Sequence, residues 1–150
     1  MKHRISGKQL GRNHHERQAL LKSQTRSMFI HGAIETTNAR VKAVISKVER
    51  LANHIITKPE ILVKRELQSL FQDRNIASQI YSTFRGVFGD QTFNFTKVHK
   101  VKFRQGDDAL IVKFAFVKPY SLKMAEPVKT EVVTEAPKKV TKKAPAKKAK

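Results

Sequence analysis

The chain has 150 residues and no cysteine, so structural disulfides and thiolate metal sites are excluded. Acidic residues are also scarce: 12 Asp or Glu stand against 31 Lys or Arg, which gives a formal net charge of +19. No apolar run approaches the ~20 residues that a membrane-spanning helix needs, and no signal-peptide core follows Met1. The absence of cysteine suits a reducing cytosol without proving it. The excess of positive charge predicts a polyanionic partner, and nucleic acid fits that description better than a membrane.

The positive charge is concentrated at the two ends of the chain. Residues 1–31 hold seven Lys or Arg and one acid, and residues 118–150 hold ten Lys and three Glu. The opening twelve residues combine two glycines with few large apolar side chains, so they cannot bury enough surface to order themselves. Their cations can neutralise phosphates, and glycine lets a backbone come close to them. Residues 1–13 are therefore predicted to be a basic arm that nucleic acid orders.

Residues 14–118 are expected to form one domain of the α+β class. Apolar residues at spacings of three and four predict four helices. Their expected bounds are 14–31, 38–56, about 60–71 and about 75–85. A short extended segment lies at residues 33–36, and alternation with a period of two on either side of Gln105–Asp108 predicts a β-hairpin. The expected architecture is two-layered, with helix, short strand, three helices and hairpin in that order, and with the helices on one face of the sheet.

The last part of the chain, residues 119–150, is rich in Lys, Ala and Pro and has no aromatic residue beyond Tyr120. Charge repulsion, proline and a shortage of large apolar groups predict a disordered tail. The tail is also similar to those of linker-histone-like proteins. A nonspecific DNA-binding, nucleoid-compacting protein therefore stays open as the alternative function.

Three stretches resemble a known family. Met1–Arg4, Gly7–Arg12 and Arg17–Leu21 together look like the start of the bacterial-type large-subunit ribosomal protein family numbered seventeen. His31–Lys42 resembles its second signature, which is a His, then Ile-x-Thr-Thr, then Arg-x-Lys, and Phe103–Ala109 resembles its third. The family's usual Gly-Gly-Tyr-Thr-Arg run is replaced here by Phe-Asn-Phe-Thr-Lys before the hairpin.

This resemblance covers residues 1–117 and carries expectations about function. It implies a structural constituent of the large ribosomal subunit, located near the outer side of the peptide exit region. The implied partners are large-subunit ribosomal RNA and neighbouring large-subunit ribosomal proteins. It implies a cytoplasmic location on the ribosome and no enzymatic activity.

The candidate RNA contacts lie in the arm, at one helix start and in the hairpin. Arginine forks suit phosphate oxygens, and a helix N-terminus offers free N–H groups to an anion. In the hairpin, Lys100, Lys102 and Arg104 are expected to share one face, with Lys97 and His99 on the other; a merely solvated face is equally open. The predicted RNA-binding residues are His3, Arg4, Gly7, Lys8, Arg12, Arg17, Arg26, Thr36, Thr37, Arg40, Lys42, Lys97, Lys100, Lys102 and Arg104.

The sequence gives little support for a metal site, a catalytic site or a nucleotide-binding loop. The six histidines form no pair spaced four apart, so with no cysteine a zinc site is not expected. Asp107 and Asp108 follow Gly106 and are typical of a hairpin turn. The Gly7–Arg12 segment lacks the Gly-Lys-Ser/Thr ending of a phosphate-binding loop. We expect no catalytic site, cofactor, metal or small-molecule substrate.

Overall fold

A computed structural model of the chain describes residues 7–122. Within those residues it has four helices and three strands. They are α1 (His14–His31), β1 (Ala33–Thr37), α2 (Asn38–Thr57), α3 (Glu60–Phe71), α4 (Arg74–Phe88), β2 (Thr96–Phe103) and β3 (Leu110–Phe116). The predicted α+β class and the predicted order of elements are confirmed, although α4 continues three residues beyond its expected end. The predicted disorder of the tail concerns residues outside this description from 123 onwards.

The three strands form one antiparallel sheet in the order β1-β3-β2, so the last strand of the sequence is central. Along β3, Val112, Phe114 and Phe116 are buried while Lys113 is exposed. This alternation shows that one face of the sheet packs on the helices and the other lies open. The helical layer reaches the sheet through α1, α2 and α4, and α3 packs on those three helices.

The helix boundaries follow the polar and glycine residues of the sequence. Gly32 ends α1 in the left-handed conformation, and its N–H donates to the Met28 carbonyl at 2.9 Å. At the start of α4, the Asp73 carboxylate accepts from the N–H groups of Asn75 and Ile76, at 2.7 and 3.4 Å. These contacts satisfy backbone groups that a helix leaves free at its ends.

An aromatic cluster occupies the centre of the core. The ring of Phe84 on α4 lies 4.5–5.9 Å, centroid to centroid, from five other aromatic rings. Edge-to-face and offset contacts at such distances are favourable beyond the burial of apolar area. The five rings come from α1, from α4 itself, from the segment before β2, from β3 and from the segment after it: Phe29, Phe88, Phe95, Phe116 and Tyr120.

A carboxylate of α2 fixes the start of the hairpin. Glu49 accepts hydrogen bonds from the N–H groups of Phe95 and Thr96, at 3.2 and 2.9 Å, and from the Thr96 hydroxyl at 2.5 Å. A carboxylate that accepts several such bonds in a half-buried position holds the backbone in place. It sets where β2 begins relative to the helical layer.

The packed part of the chain continues to Leu122, four residues beyond the boundary expected at 118. Tyr120 is only 7% exposed, and the Leu122 N–H donates to the Ile30 carbonyl at 3.2 Å. Lys118 donates to the Val87 carbonyl at 2.9 Å, near the C-terminal end of α4, where a cation is favoured by the helix dipole. The shift to a basic, proline-containing composition at residue 118 therefore begins four residues before the packed fold ends.

We predict that Gly32→Ala destabilises the protein by at least ~2 kcal/mol, because alanine disfavours the left-handed region. A Cβ at Gly32, whose φ is +74°, would also lie 1.7 Å from the Tyr120 carbonyl oxygen. The control is Gly86→Ala in α4, where an added Cβ meets nothing within 4 Å. That variant should gain ~0.5–1 kcal/mol. Urea unfolding of both full-length variants measures the difference, and equal stability would show that the C-terminal segment yields freely.

Candidate nucleic-acid interface

The described part of the arm, residues 7–13, forms a compact turn before α1. Gly7, Leu10 and Gly11 have positive φ values of 83°, 56° and 62°. The Arg12 N–H donates to the Gln9 carbonyl at 3.2 Å. The resulting bend leaves Gly7, Gln9, Gly11 and the cationic Lys8 side chain exposed to solvent. His3 and Arg4, two of the predicted RNA contacts, lie outside the described residues.

Two arginines hold this turn against α1. Arg12 donates through Nη1 to the Leu10 carbonyl at 3.2 Å, and Arg17 donates through Nη2 to the Arg12 carbonyl at 3.3 Å. The Nε atom of Arg17 is buried and has no hydrogen-bond partner among residues 7–122. A guanidinium group has five N–H donors, so both side chains retain donors for a further partner. The arm is thus shaped by the same arginines that were predicted to bind RNA.

The hairpin register differs from the expected one, because a bulge interrupts β2. Lys100 pairs with Val112 and Lys102 pairs with Ile111, so Val101 is left unpaired between them. An extra residue reverses the side-chain alternation beyond that point. The prediction that Lys100 and Lys102 share a face is therefore wrong. Lys102 lies on the open face, whereas Lys100 lies on the helix side of the sheet.

Pairing across all three strands defines what we call the open sheet face. Its central row is Glu35 of β1, Lys113 of β3 and His99 of β2. Lys97 lies beside Ala115, and Lys102 lies beside Ile111. The paired residues of the edge strand that lie on this face, Lys97, His99 and Lys102, are all basic and exposed. The open sheet face consists of Ala33, Glu35, Thr37, Lys97, His99, Lys102, Ile111, Lys113 and Ala115.

The edge strand also extends past the helical layer. On the helix side of β2, Val98 and Phe103 pair with Phe114 and Leu110 of β3, but they are 42% and 63% exposed. Lys100 is exposed on the same side. No other strand of residues 7–122 pairs with the outer edge of β2. Both sides of this strand are consequently accessible to a large partner.

The start of α2 lies at one corner of the open sheet face. Thr37 pairs with Ile111 and is also the N-cap of α2, but its hydroxyl makes no capping hydrogen bond. The first turn of α2 contains no acidic residue, Arg40 is half-buried and Lys42 is exposed. Free N–H groups and nearby cations at a helix start favour an anion. The corner combines the predicted helix-start site with the cations of the hairpin.

Besides Arg12 and Arg17, three of the predicted RNA contacts make hydrogen bonds to other groups of the protein. Thr36 lies on the helix side of the sheet, where its hydroxyl is 3.5 Å from Gln24 Nε2. Arg26 donates through Nε to the Leu70 carbonyl at 2.5 Å, in the last turn of α3. Arg104 donates to both carboxylate oxygens of Asp107, at 2.9 and 2.5 Å. These interactions stabilise the fold, so these three side chains are less free than their charge or position suggested.

Lys113 is a basic residue of this surface that sequence reasoning did not select. It was recognised only as a polar residue of the return strand, because its neighbours across the sheet depend on the register. The signal that could have selected it is its isolation as the one cation between the apolar residues of β3.

Other kinds of site find no support in residues 7–122. In that part of the chain, no group of three or more His, Asp or Glu side chains could hold a metal ion. His54 is instead paired with Glu66, with 3.0 Å between Nδ1 and Oε2. The helices described there are too short or too polar to cross a membrane.

The comparisons with known proteins agree on one family. A sequence model of the family described as ribosomal protein L17 matches residues 20–117. The large ribosomal subunit protein bL17 of Coprothermobacter proteolyticus is 32% identical over 109 residues, which cover 73% of this chain and 92% of that protein. The bL17 protein of Thermodesulfovibrio yellowstonii is also 32% identical, over 112 residues that cover 73% and 81%.

A third relative is longer than this chain. The bL17 protein of Desulfosudis oleivorans is 28% identical over 136 residues, and the match spans 87% of this chain but only 64% of the relative. None of these matches supports the alternative of a nucleoid-compacting protein.

We predict that the pKa of Asp107 lies well below the ordinary value for an aspartate, because the Arg104 hydrogen bond lowers it from 3.8 to about 2. The folded state favours the carboxylate, so this contribution to stability is complete above pH ~4 and is lost as the pH falls through about 2. Carbon-13 NMR of the Asp107 carboxyl measures the pKa directly. Arg104→Gln should return it towards 3.8, whereas a midpoint unchanged in that variant would assign the shift to the turn backbone.

Proposed function

The chain belongs to the ribosomal protein L17 family, and we propose that it binds large-subunit ribosomal RNA through its basic arm and its open sheet face. Proteins of this family are structural components of the large ribosomal subunit in the cytoplasm and not enzymes. Ribosomal RNA and neighbouring ribosomal proteins are accordingly its partners in this proposal. The observation that carries the RNA-binding surface is the cationic open sheet face, which no part of residues 7–122 covers.

The chemistry of the open sheet face suits an RNA backbone. Lys97, Lys102 and Lys113 are exposed ammonium groups on neighbouring strands, and strands in a sheet are ~4.8 Å apart. An ammonium group is a compact charge with three rotatable donors, so it can donate to a phosphate that approaches from several directions. His99 adds an aromatic ring on which an unstacked base can lie. Glu35 is the single acid in this surface, and it is confined to the far strand.

The arm has a different role in this proposal. Residues 7–13 are already bent by glycine and by two arginine contacts, so less conformational entropy is lost when they meet RNA. Lys8, Arg12 and Arg17 then supply charge-assisted donors from a defined position. His3, Arg4 and Gly7 extend the contact, and Thr37, Arg40 and Lys42 provide an anion site at the start of α2. Lys100 approaches from the other side of the edge strand.

The domain assignment of the proposal follows from these roles. Residues 1–13 form the RNA-binding arm, residues 14–118 form the ribosomal domain with the four further packed residues, and residues after 122 form the Lys/Ala/Pro-rich tail. The tail has nine Lys and three Glu but no arginine, so it can add nonspecific attraction without the forks that read RNA structure.

We predict that the open sheet face sets much of the salt dependence of RNA binding. Replacing Lys97, Lys102 and Lys113 by Gln removes three phosphate contacts. The negative slope of log K against log salt should therefore become less steep by about 2–3. The control replaces Lys64, Arg65 and Arg74 by Gln, which removes equal charge from α3 and α4. Filter binding to a large-subunit ribosomal RNA transcript at 50–200 mM salt gives both slopes, and equal slopes would contradict a localised surface.

We also predict that deleting residues 2–12 prevents incorporation into large subunits while leaving thermal unfolding nearly unchanged. The arm contributes few apolar contacts but four Lys or Arg. Deleting residues 123–150 is the control, since it removes more net charge, nine Lys against three Glu. Competition with the full-length protein during subunit reconstitution measures both effects. Exclusion of the tail-deleted protein, with entry of the arm-deleted one, would reverse the assigned roles.

A further inference from the structure

A cavity of about 560 Å³ opens between α1, α2 and α3, and none of its lining residues belongs to residues 7–13 or to the open sheet face. Its size falls within the range of pockets that hold small ligands or charged groups. Three cations line it: Lys22 of α1, and Lys47 and Arg50 of α2. Lys47 and Arg50 are three residues apart, so they project from the same side of their helix. We call this cavity the helix pocket.

The cations of the helix pocket lack compensating charge. Among residues 7–122, none of the three takes part in an ion pair. The one carboxylate that lines the pocket, Glu66, is already paired with His54 at 3.0 Å and lies 3.6 Å from the Lys58 ammonium. The pocket is therefore a region of excess positive charge and not a balanced network.

The position of Lys47 makes this excess costly to the free protein. Its side chain is half-buried, and burial lowers the pKa of its ammonium group, with a further decrease from the nearby charge of Lys22. Taking an ammonium group partly out of water beside a like charge opposes folding. An anion bound beside Lys22 and Lys47 would offset this cost.

A phosphate group matches what the helix pocket offers. It carries negative charge on several acceptor oxygens, which can meet two ammonium groups and a guanidinium fork together. Ser46 adds a hydroxyl donor on the same wall. The buried Thr25 and Leu51 also line the pocket, although Ser46 and Arg50 are themselves exposed, so an anion beside Lys47 would be partly shielded from water. In such surroundings their attraction is stronger than on an open surface.

We propose that the helix pocket binds a backbone phosphate of RNA, with Lys22, Lys47 and Arg50 as its cationic ligands. The proposal rests on the RNA-binding function above and adds a second contact surface to it, on the helical side of the domain. RNA would then reach both layers of the fold, with the sheet face on one side and the helix pocket on the other.

The first measurement uses the free protein and inorganic phosphate. Carbon-13 NMR of the lysine Cε groups in the full-length protein should show saturable shifts at Lys22 and Lys47 during a phosphate titration. Lys64, which is paired with Glu60 on the surface of α3, is the internal reference. Shifts of equal size at all three lysines would reflect general salt effects and would overturn the pocket.

The second measurement separates binding from stability. We expect Lys47→Gln to weaken binding to a large-subunit ribosomal RNA transcript about tenfold while the melting temperature stays equal or rises. Arg50→Gln should weaken binding similarly, and Arg65→Gln, which removes the same charge from an exposed site on α3, should stay within about twofold. A lower melting temperature for Lys47→Gln, or equal losses for Arg50 and Arg65, would contradict the proposal.

The two measurements also distinguish the sources of phosphate. Lysine shifts with phosphate, combined with unchanged RNA affinity in Lys47→Gln, would reject an RNA ligand and assign the pocket to free phosphate. If the unaltered protein did not bind the transcript at all, the broader RNA-binding function would fail. The RNA ligand of the pocket would then be rejected as well, and saturable lysine shifts in the phosphate titration would assign the pocket to free phosphate.

Discussion

The contacts of Phe84 are the constraint on which the rest of the structure depends. Its ring meets aromatic side chains from α1, from the segment before β2, from β3 and from the segment after it, besides its neighbour Phe88 on α4. One residue thus joins elements that are far apart in sequence. Since closing such long loops is entropically costly, a densely packed centre is needed to offset it.

The same constraint decides which surface is left for a partner. The cluster holds Phe116 and Phe95 against α4, so the sheet turns its helix-side residues inward and presents the opposite face to solvent. The helices of residues 7–122 leave most of the edge strand β2 uncovered on both sides. Natural proteins blunt an exposed edge with lysines and a bulge, and β2 has both. In the proposed function, the lysines that protect this edge from aggregation would also attract RNA.

Much of this fold was predictable from the sequence, because apolar spacing records burial directly. The helices within residues 7–122 follow from apolar spacings of three and four, and the hairpin follows from a period of two. The short strand was predicted only as an extended segment after Gly32. The bulge at Val101 was not predictable, since its residue type does not distinguish an unpaired position from a paired one. That single residue moved Lys102 to the other face. The end of the fold was also missed, because Tyr120 and Leu122 pack onto α1 and α4 within a stretch of basic composition.

Positive charge indicates a class of partner, but it does not by itself locate the contact. Arg26 and Lys118 donate to carbonyls at the ends of α3 and α4, and Arg104 donates to Asp107 in the hairpin turn. Replacing any of these three cations would remove a contact of the fold. Lys47 and Lys113 have no such internal role within residues 7–122. A sequence shows all five as equal charges. The hydrogen bonds of the fold distinguish them, because a donor that is committed to a carbonyl or carboxylate within the protein is less free to meet a phosphate.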